Sequence, residues 1–350
     1  MPGPGSIAYE PGARPPPPEG WTTPQGAEAG RLEGGATVRI LGLTLEVPAS
    51  VIAMTEASAD DRVGDALERR TRVSSLYGGP PEFIVTYRSV YQWGTDLDGG
   101  GGVAPDLWTN LFRVSYEQPL PVFGRLGVYG LYRNRRYEFE GPNAFIAGTD
   151  DPWGSVHQLA VGANLFQPVH ERFAVFVATD FRWHVEDGQS FSKGASWAVT
   201  LGGGYRVSEK LDLGAGIIVQ DTFGDEVFVL GGPQFDWRPN RTWRFVLSGT
   251  ELDIQCNINR SWQLGAGGGF IGHRFRLDDE GPGANYIASE SRFPVYLQAR
   301  YRGIDDLDMT LRVGTDITRE FRIQDSGGNT LRTFESDPSP FVSFRAILRF

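Results

Sequence analysis

The stretch Phe341-Val-Ser-Phe-Arg-Ala-Ile-Leu-Arg-Phe350 decides the fold of this chain. Its side chains alternate between apolar and polar with the period of two that is typical of a β-strand. One side carries Val342, Phe344, Ala346, Leu348 and Phe350. The other side carries Ser343, Arg345 and Arg349, and Ile347 is the exception. The stretch therefore predicts a strand with one fully apolar face and one polar face.

The same alternation recurs along most of the chain from Phe83 onward. It is clearest in residues 173–185, 195–207, 211–220, 291–301 and 309–321. A register error of one residue would exchange the two faces of a strand, so agreement over many segments is specific. The strands are about 10–13 residues long, which at a tilt of ~45° is enough to cross the hydrocarbon layer of a membrane.

The connections between these strands alternate in length. Short ones lie at residues 117–124, 168–172, 208–210, 239–241, 259–261 and 303–308. Longer ones, rich in acidic residues or glycine, lie at residues 94–106, 141–154, 186–193, 221–226, 278–290 and 323–340, and Thr250 marks a tight exception. Short turns on one rim and long loops on the other are typical of a transmembrane antiparallel up-and-down β-barrel. We count about 14 strands, with about 12 or about 16 as alternatives.

Composition narrows the class of protein. The chain has 350 residues, 46 glycines, one cysteine, Cys256, and a formal net charge of −10. Its mean hydropathy is −0.28, and it has no run of about 18 apolar residues of the kind that forms a membrane-spanning helix. The negative charge argues against nucleic-acid binding, which needs faces rich in lysine and arginine. A single cysteine excludes an intramolecular disulfide and any zinc site built on several cysteines.

The N-terminal part divides from the predicted barrel. Residues 1–35 are rich in proline and glycine and predict a disordered leader. Residues 36–82 predict an extension that forms a mouth or plug element, and residues 83–350 the barrel. The first residues lack the basic and apolar regions of an export signal. Because a barrel of this kind must be exported, we expect the start to be truncated or processed.

Tryptophan and tyrosine cluster towards the strand ends. The set comprises Tyr91, Trp93, Trp108, Tyr116, Trp183, Tyr205, Trp237, Trp243 and Trp262. Amphipathic rings favour the membrane interface, where one edge is wet and the other apolar. We interpret these residues as two aromatic girdles, while the simpler alternative is that aromatic residues suit strands.

The predicted inward faces carry the charged residues. The lumen-lining candidates are Arg88, Arg113, Asp180, Arg182, His184, Arg206, Asp212, Asp236, Arg292, Arg300, Arg312, Asp316 and Arg345. The same parity places Glu320 inward and Phe321 outward. These charges could line a water-filled pathway and set its solute preference. Alternatively they pair across strands and fill the interior, and the sequence leaves both interpretations open.

Other candidate sites are weak. Asp180 precedes His184 by four residues on one face, a spacing that could serve acid–base chemistry in a hydrolase at the rim. The glycine-rich segments 202–204 and 265–269 lack the lysine and helix of a nucleotide loop. The acidic groups near Asp96 and Asp278 lack the full spacing of a calcium loop. We therefore expect no cofactor, no metal and no enzyme activity, with the rim hydrolase as the alternative.

Three motifs carry a family resemblance. They are Gly214-Ala-Gly-Ile217 after Ser208-Glu-Lys-Leu211, the turn Phe235-Asp-Trp-Arg-Pro-Asn240, and the terminal Phe350. With them the chain resembles an uncharacterised family of predicted bacterial outer-membrane barrels, a domain of unknown function. The family has no established catalytic residues to transfer.

The resemblance implies a location and partners. The location is the bacterial outer membrane, with outer-membrane lipid and lipopolysaccharide as surroundings. Phe344, Ala346, Leu348 and Phe350 would serve as the signal for the barrel-assembly machinery. We hypothesise a passive channel or solute-uptake protein for small solutes. A closed structural or surface-interaction barrel is the alternative function, and a soluble β-sandwich is the alternative fold.

Overall fold

A computed structural model describes residues 36–40, 43–47, 80–98, 102–120, 124–140, 145–146, 149–222 and 226–350 of the chain. Strands β1 (Ala36–Ile40) and β2 (Leu43–Val47) form an antiparallel hairpin. The predicted leader, residues 1–35, lies outside the described residues. Of the predicted extension, residues 36–82, only this hairpin and residues 80–82 are described.

The barrel consists of antiparallel strands with polar and apolar faces. In chain order they are β3 (Glu82–Gln92), β4 (Asp106–Leu120), β5 (Gly124–Glu138), β6 (Ser155–His170), β7 (Phe173–Glu186), β8 (Ala195–Ser208), β9 (Leu211–Thr222), β10 (Glu226–Trp237), β11 (Trp243–Ser248), β12 (Glu251–Asn257), β13 (Trp262–Gly269), β14 (Ile271–Arg276), β15 (Ile287–Ile304), β16 (Leu307–Gln324), β17 (Thr330–Ser336) and β18 (Ser339–Arg349). None of the described residues forms a helix with the length and hydropathy that a bilayer crossing needs.

Fourteen of these strands close into a ring. The ring runs from β3 through β13 in sequence order, continues through β15, β16 and β18, and returns to β3. At the closure, the Phe83 amide donates to the Phe350 carbonyl (3.1 Å) and the Phe350 amide to the Phe83 carbonyl (2.9 Å). The predicted 14-stranded up-and-down barrel is thus confirmed, with both of its ends on one rim, here called the short-turn rim.

The outer surface is apolar around the ring. Val177, Leu201, Leu213, Leu297 and Phe344 are all exposed to the surroundings. A β-sandwich would bury Leu213 and Phe344 between two sheets, so that alternative is wrong. A closed ring leaves no unpaired sheet edge in its wall, which is the condition for strands to lie in lipid.

Exposed aromatic side chains form belts near both rims. Near the short-turn rim, Phe83 is paired with Tyr116, and Trp262 with Tyr301, on neighbouring strands. Near the opposite rim, the Tyr91 ring contacts those of Trp93 and Trp108 at centroid distances of 4.8 and 5.4 Å. Aromatic rings in two such belts are typical of barrels that cross a membrane, where a polar edge faces water and an apolar face contacts lipid.

The barrel narrows towards the rim opposite the short-turn rim, here called the long-loop rim or upper end. β14 pairs with the upper half of β15, and its Arg276 bridges directly to Val185 at the end of β7. β17 pairs with the upper half of β16, and its Ser336 bridges to Leu97 in the β3–β4 connection. Near this rim a smaller ring of pairings, the upper ring, therefore runs through β4–β7, β14–β17 and the β3–β4 connection. A ring of about eight strands is just wide enough to be filled by side chains.

One irregularity in β16 reverses the parity predicted for its end. Pro294 pairs with Asp316, but Arg292 pairs with Arg319, so β16 contains a bulge between these positions. Such an extra residue moves every later side chain to the other face. The side chain of Phe321 is therefore buried, whereas Glu320 bonds the half-exposed Arg322. The prediction that Glu320 faces inward and Phe321 outward was wrong.

Candidate functional site

The interior of the barrel contains an apolar layer, a charged layer below it, and ion pairs further down. The apolar layer, here called the mouth plug, lies in the narrow upper ring. Its buried members are Leu97, Ala104, Leu107, Tyr137, Phe145, Ile146, Trp153, Val156, Phe275, Leu277, Ala288, Phe321 and Ile323.

Aromatic rings hold the mouth plug together. Phe145 contacts Trp153, Phe321 and Phe334 at centroid distances of 5.1, 5.2 and 4.9 Å. Phe145 and Trp153 come from the long connection between β5 and β6, whereas Phe321 is anchored on β16. Phe145 and Trp153 therefore lie inside the ring and pack on its strands.

The sequence does not predict this plug. The alternation predicts a polar interior, and residues 141–154 were predicted only as one of the longer connections rich in acidic residues or glycine. The available signals were Phe145-Ile146 and Trp153, apolar residues inside that loop. Phe321 gave no such signal, because the alternation places it on the outer face and only the bulge in β16 turns it inward.

Below the plug lies a charged layer, here called the arginine layer. It consists of Arg135, Arg292, Arg319, Glu290 and Asp316, all buried. The Arg319 guanidinium donates to Glu290 at 2.7 Å and to the Pro105 carbonyl at 3.0 Å. The Tyr137 hydroxyl, from the plug, donates to the second Glu290 oxygen at 3.0 Å. This contact joins residues 137 and 290 on strands that are far apart along the chain.

The second carboxylate of the arginine layer has its own partners. Asp316 accepts from Gln92 Nε2 at 2.6 Å and from Arg292 Nη1 at 3.3 Å. Arg292 also donates to Gln92 Oε1 at 2.6 Å, and Gln92 Nε2 donates to Ser339. The charge pair is therefore embedded in a network that fixes both side chains.

Ion pairs continue towards the short-turn rim. Arg312 donates to Glu251 at 3.2 Å and lies over the Tyr296 ring, 4.2 Å from its centroid. Arg300 donates to Asp308 at 2.7 Å. A small recess is lined by Arg88, Thr310, Arg312, Ser343 and Arg345.

The structure brings many of the predicted lumen candidates together. Asp180 pairs with Arg182, Arg206 with Asp212 (3.1 Å), and Arg292 with Asp316. Asp236 accepts from Arg244 at 2.7 Å and also from Arg238. Arg113 stacks over the Tyr129 ring at 4.4 Å.

The His184 Nδ1–H donates to the Arg274 carbonyl at 3.0 Å. Both residues of the hypothesised rim hydrolase therefore have structural partners. His184 bonds a backbone carbonyl, and Asp180 pairs with Arg182. Glu290, Arg319 and Arg135 were not predicted as lumen residues. Glu290 was assigned to a loop, but β15 begins at Ile287, three residues earlier in the chain.

Loops outside the barrel strands contain carboxyl groups with lowered pKa values. Lys193 donates to Asp279 at 3.0 Å, and this hydrogen bond lowers the pKa of the Asp279 carboxyl. The Asp325 carboxyl accepts from the Asn329 side chain and amide and from the Gly327 amide. These bonds, with that of the Asn329 side chain as the largest cause, lower the pKa of Asp325.

Comparisons with known proteins concern the family and the fold. Residues 197–347 match the family model of a domain of unknown function, DUF6268, which confirms the resemblance predicted from the sequence. A search of curated proteins found no match. The chain is similar to an outer membrane channel from Pseudomonas putida F1, with 12% identity and a TM-score of 0.42 over 78% of this chain and 97% of that one.

Two further solved structures show the same level of similarity. The toluene transporter TodX of P. putida has 10% identity and a TM-score of 0.40, over 79% of this chain and 91% of that one. A FadL homologue of Pseudomonas aeruginosa has 10% identity and a TM-score of 0.37, over 77% and 89%. At such values these similarities say nothing about the cargo of this chain.

Proposed function

We propose that the chain is a channel of the bacterial outer membrane that lets small solutes cross by diffusion. The observation that supports this proposal is the width of the main ring together with its polar interior. Rings of about eight strands are filled by side chains, and rings of about 16–18 strands leave an aqueous channel. The 14-stranded part of this barrel lies between these two cases.

The mouth plug is the gate in this proposal. A solute path through the upper ring requires the plug to part. Phe145 and Trp153 lie on a connection rather than on a strand. An outward movement of these two residues would therefore open the ring without breaking hydrogen bonds between its strands. Loops of this kind belong to the least stable parts of a structure.

Planar-bilayer recording of the folded, purified chain tests the proposal. Heat-modifiable migration on a gel first establishes that the barrel is folded. We expect stepwise conductance for the wild type and a larger open fraction for Trp153→Ala, which removes the centre of the plug. Folded protein without conductance in either form would refute the channel.

The second candidate is a closed structural or surface-interaction barrel. It is favoured by the buried plug and by the pairing of Glu290 with Arg319 across neighbouring strands. Under this alternative, neither wild type nor Trp153→Ala conducts ions. The same recording therefore separates the two candidates.

The outer surface supports the proposed location and partners. Phe344, Leu348 and Phe350 are exposed and apolar on β18 and beyond it, and Ala346 shares their face. This face would contact outer-membrane lipid and, during assembly, the barrel-assembly machinery. In the leaflet at the long-loop rim, the barrel would be surrounded by lipopolysaccharide. Extraction of the native protein from outer-membrane fractions only with detergent tests the location.

A further inference from the structure

The arginine layer contains more positive than negative charge. Its guanidinium groups belong to Arg135, Arg292 and Arg319, which are 5%, 7% and 0% exposed. Its carboxylates belong to Glu290 and Asp316, which are 1% and 0% exposed. Two of the cations have ion-pair partners, since Arg319 bonds Glu290 and Arg292 bonds Asp316. Within the described part of the chain, no carboxylate lies within ion-pair distance of Arg135.

Arg135 is nevertheless part of the same layer. Its guanidinium lies close enough to Glu290, Arg292 and the Tyr137 hydroxyl to interact electrostatically with each of them. Arg133, two residues earlier on the same face of β5, is also buried and donates to Gln158 at 2.9 Å. Glu290 already pairs with Arg319, and the other neighbours are neutral or positively charged. The layer therefore keeps its excess positive charge.

The two paired arginines also have hydrogen-bond donors that are not used in their ion pairs. Arg292 Nε and Arg319 Nη2 are buried and have no hydrogen-bond partner among the residues that the structure describes. Asp316 Oδ1 likewise has none among these residues. Buried polar atoms are normally bonded, and a buried cation without a counter-charge is destabilising. An anion that reaches these donors would satisfy them and offset the charge of Arg135.

We propose that the arginine layer is a binding site for a small anion, held through carboxylate or phosphate oxygens by Arg135, Arg292 and Arg319. Guanidinium groups match both kinds of oxygen pair in geometry as well as in charge. The inference rests on the proposed channel for its purpose, because it names small anions as the solute class. It is a local property, since the chain as a whole carries a net charge of −10.

β5 itself offers a matched pair of variants. Arg135→Gln removes a guanidinium from the arginine layer. Arg136→Gln makes the same chemical change at the next residue, whose side chain is 67% exposed and pairs with Glu138 on the opposite face. Both variants lose one positive charge, so general effects of ionic strength and net charge are equal between them.

The first experiment measures anion binding by the folded full-length chain in detergent at low salt. The unfolding midpoint is followed by heat-modifiable migration while sodium acetate is added in one arm and sodium phosphate in the other. Binding to the native state alone raises the midpoint. We expect a rise of several degrees for wild type and for Arg136→Gln, and less than half of that rise for Arg135→Gln.

The outcomes identify the anion or refute the site. A rise with acetate alone assigns a carboxylate ligand, and a rise with phosphate alone assigns a phosphate ligand. A rise with neither probe means that the layer is simply hydrated and overturns the proposal. Equal rises in Arg135→Gln and Arg136→Gln overturn it as well.

A second experiment separates this inference from the channel proposal. If wild type conducts, the reversal potential in a potassium chloride gradient should show preference for chloride. Arg135→Gln should lower the chloride-to-potassium permeability ratio several-fold, and Arg136→Gln should leave it unchanged. If wild type does not conduct, the channel proposal fails, and the midpoint experiment alone still decides whether the anion site exists.

Discussion

Removal of the Glu290 carboxylate should destabilise the barrel more than removal of any exposed carboxylate. Glu290 and Arg319 are 1% and 0% exposed and lie 2.7 Å apart. The variant Glu290→Gln keeps the shape of the side chain but leaves the Arg319 charge buried without compensation. Breaking one partner of such a pair costs about 3–5 kcal/mol. Because glutamine can still accept one hydrogen bond from Arg319, we expect about 3 kcal/mol, the lower end of that range.

The matched control is Glu138→Gln. Glu138 pairs with Arg136 at 3.0 Å, but the two side chains are 59% and 67% exposed. Exposed pairs contribute about 0–1 kcal/mol. The two variants therefore make the same chemical change in a buried and in an exposed ion pair, and their difference measures what burial adds.

Urea-induced unfolding of the chain inserted in lipid vesicles, followed by tryptophan fluorescence, gives the free energy of unfolding. A second variant, Glu290→Gln with Arg319→Met, should recover most of the loss, because removal of both members of the pair leaves neither of them as an uncompensated buried charge. A difference of less than about 1 kcal/mol between Glu290→Gln and Glu138→Gln would contradict the expected effect of burial. A double variant less stable than Glu290→Gln would contradict it as well.

Trp153→Ala should destabilise the mouth plug by about 3–5 kcal/mol and raise the open fraction in bilayer recordings, whereas Trp108→Ala on the outer belt should leave conductance unchanged. Leu201→Arg, at the middle of the lipid face of β8, should cost about 2–4 kcal/mol of unfolding free energy, against about 0–1 kcal/mol for Val207→Arg near the short-turn rim; equal costs would contradict the membrane orientation. The Asp325 pKa is lowered in the folded chain from its ordinary value of 3.8. The loop contacts of its carboxylate should therefore be complete above pH 3.8 and lost as the pH falls through the lower folded value. Hydrogen exchange of the loop amides, corrected for intrinsic rates, should show this loss, and an Asp325→Asn variant should show no such step.

The sequence is sufficient to predict the wall of the barrel. Alternation with a period of two is a local property, and each strand displays it without reference to its neighbours. For this reason the strand number, the apolar outer face and the tight turn near Thr250 could all be predicted. Ion pairs between neighbouring strands, such as that of Arg206 with Asp212, follow from the same strand register.

The upper interior depends on tertiary structure. The bulge in β16 inverts the faces of Arg319 and Phe321, and nothing in the alternation of β16 alone marks where the extra residue is accommodated. The inward packing of Phe145 and Trp153 depends on apolar side chains such as Phe275 and Phe321, which belong to strands far along the chain.

The sequence by itself determined that this chain forms a closed ring of strands with an apolar outside and a polar inside, because both properties repeat within each strand. Only the tertiary structure decided that the ring narrows, that aromatic residues seal its mouth, and that Tyr137 meets Glu290 below that seal. Contacts across a lumen depend on ring closure, strand register and loop packing together, and no local pattern encodes that combination.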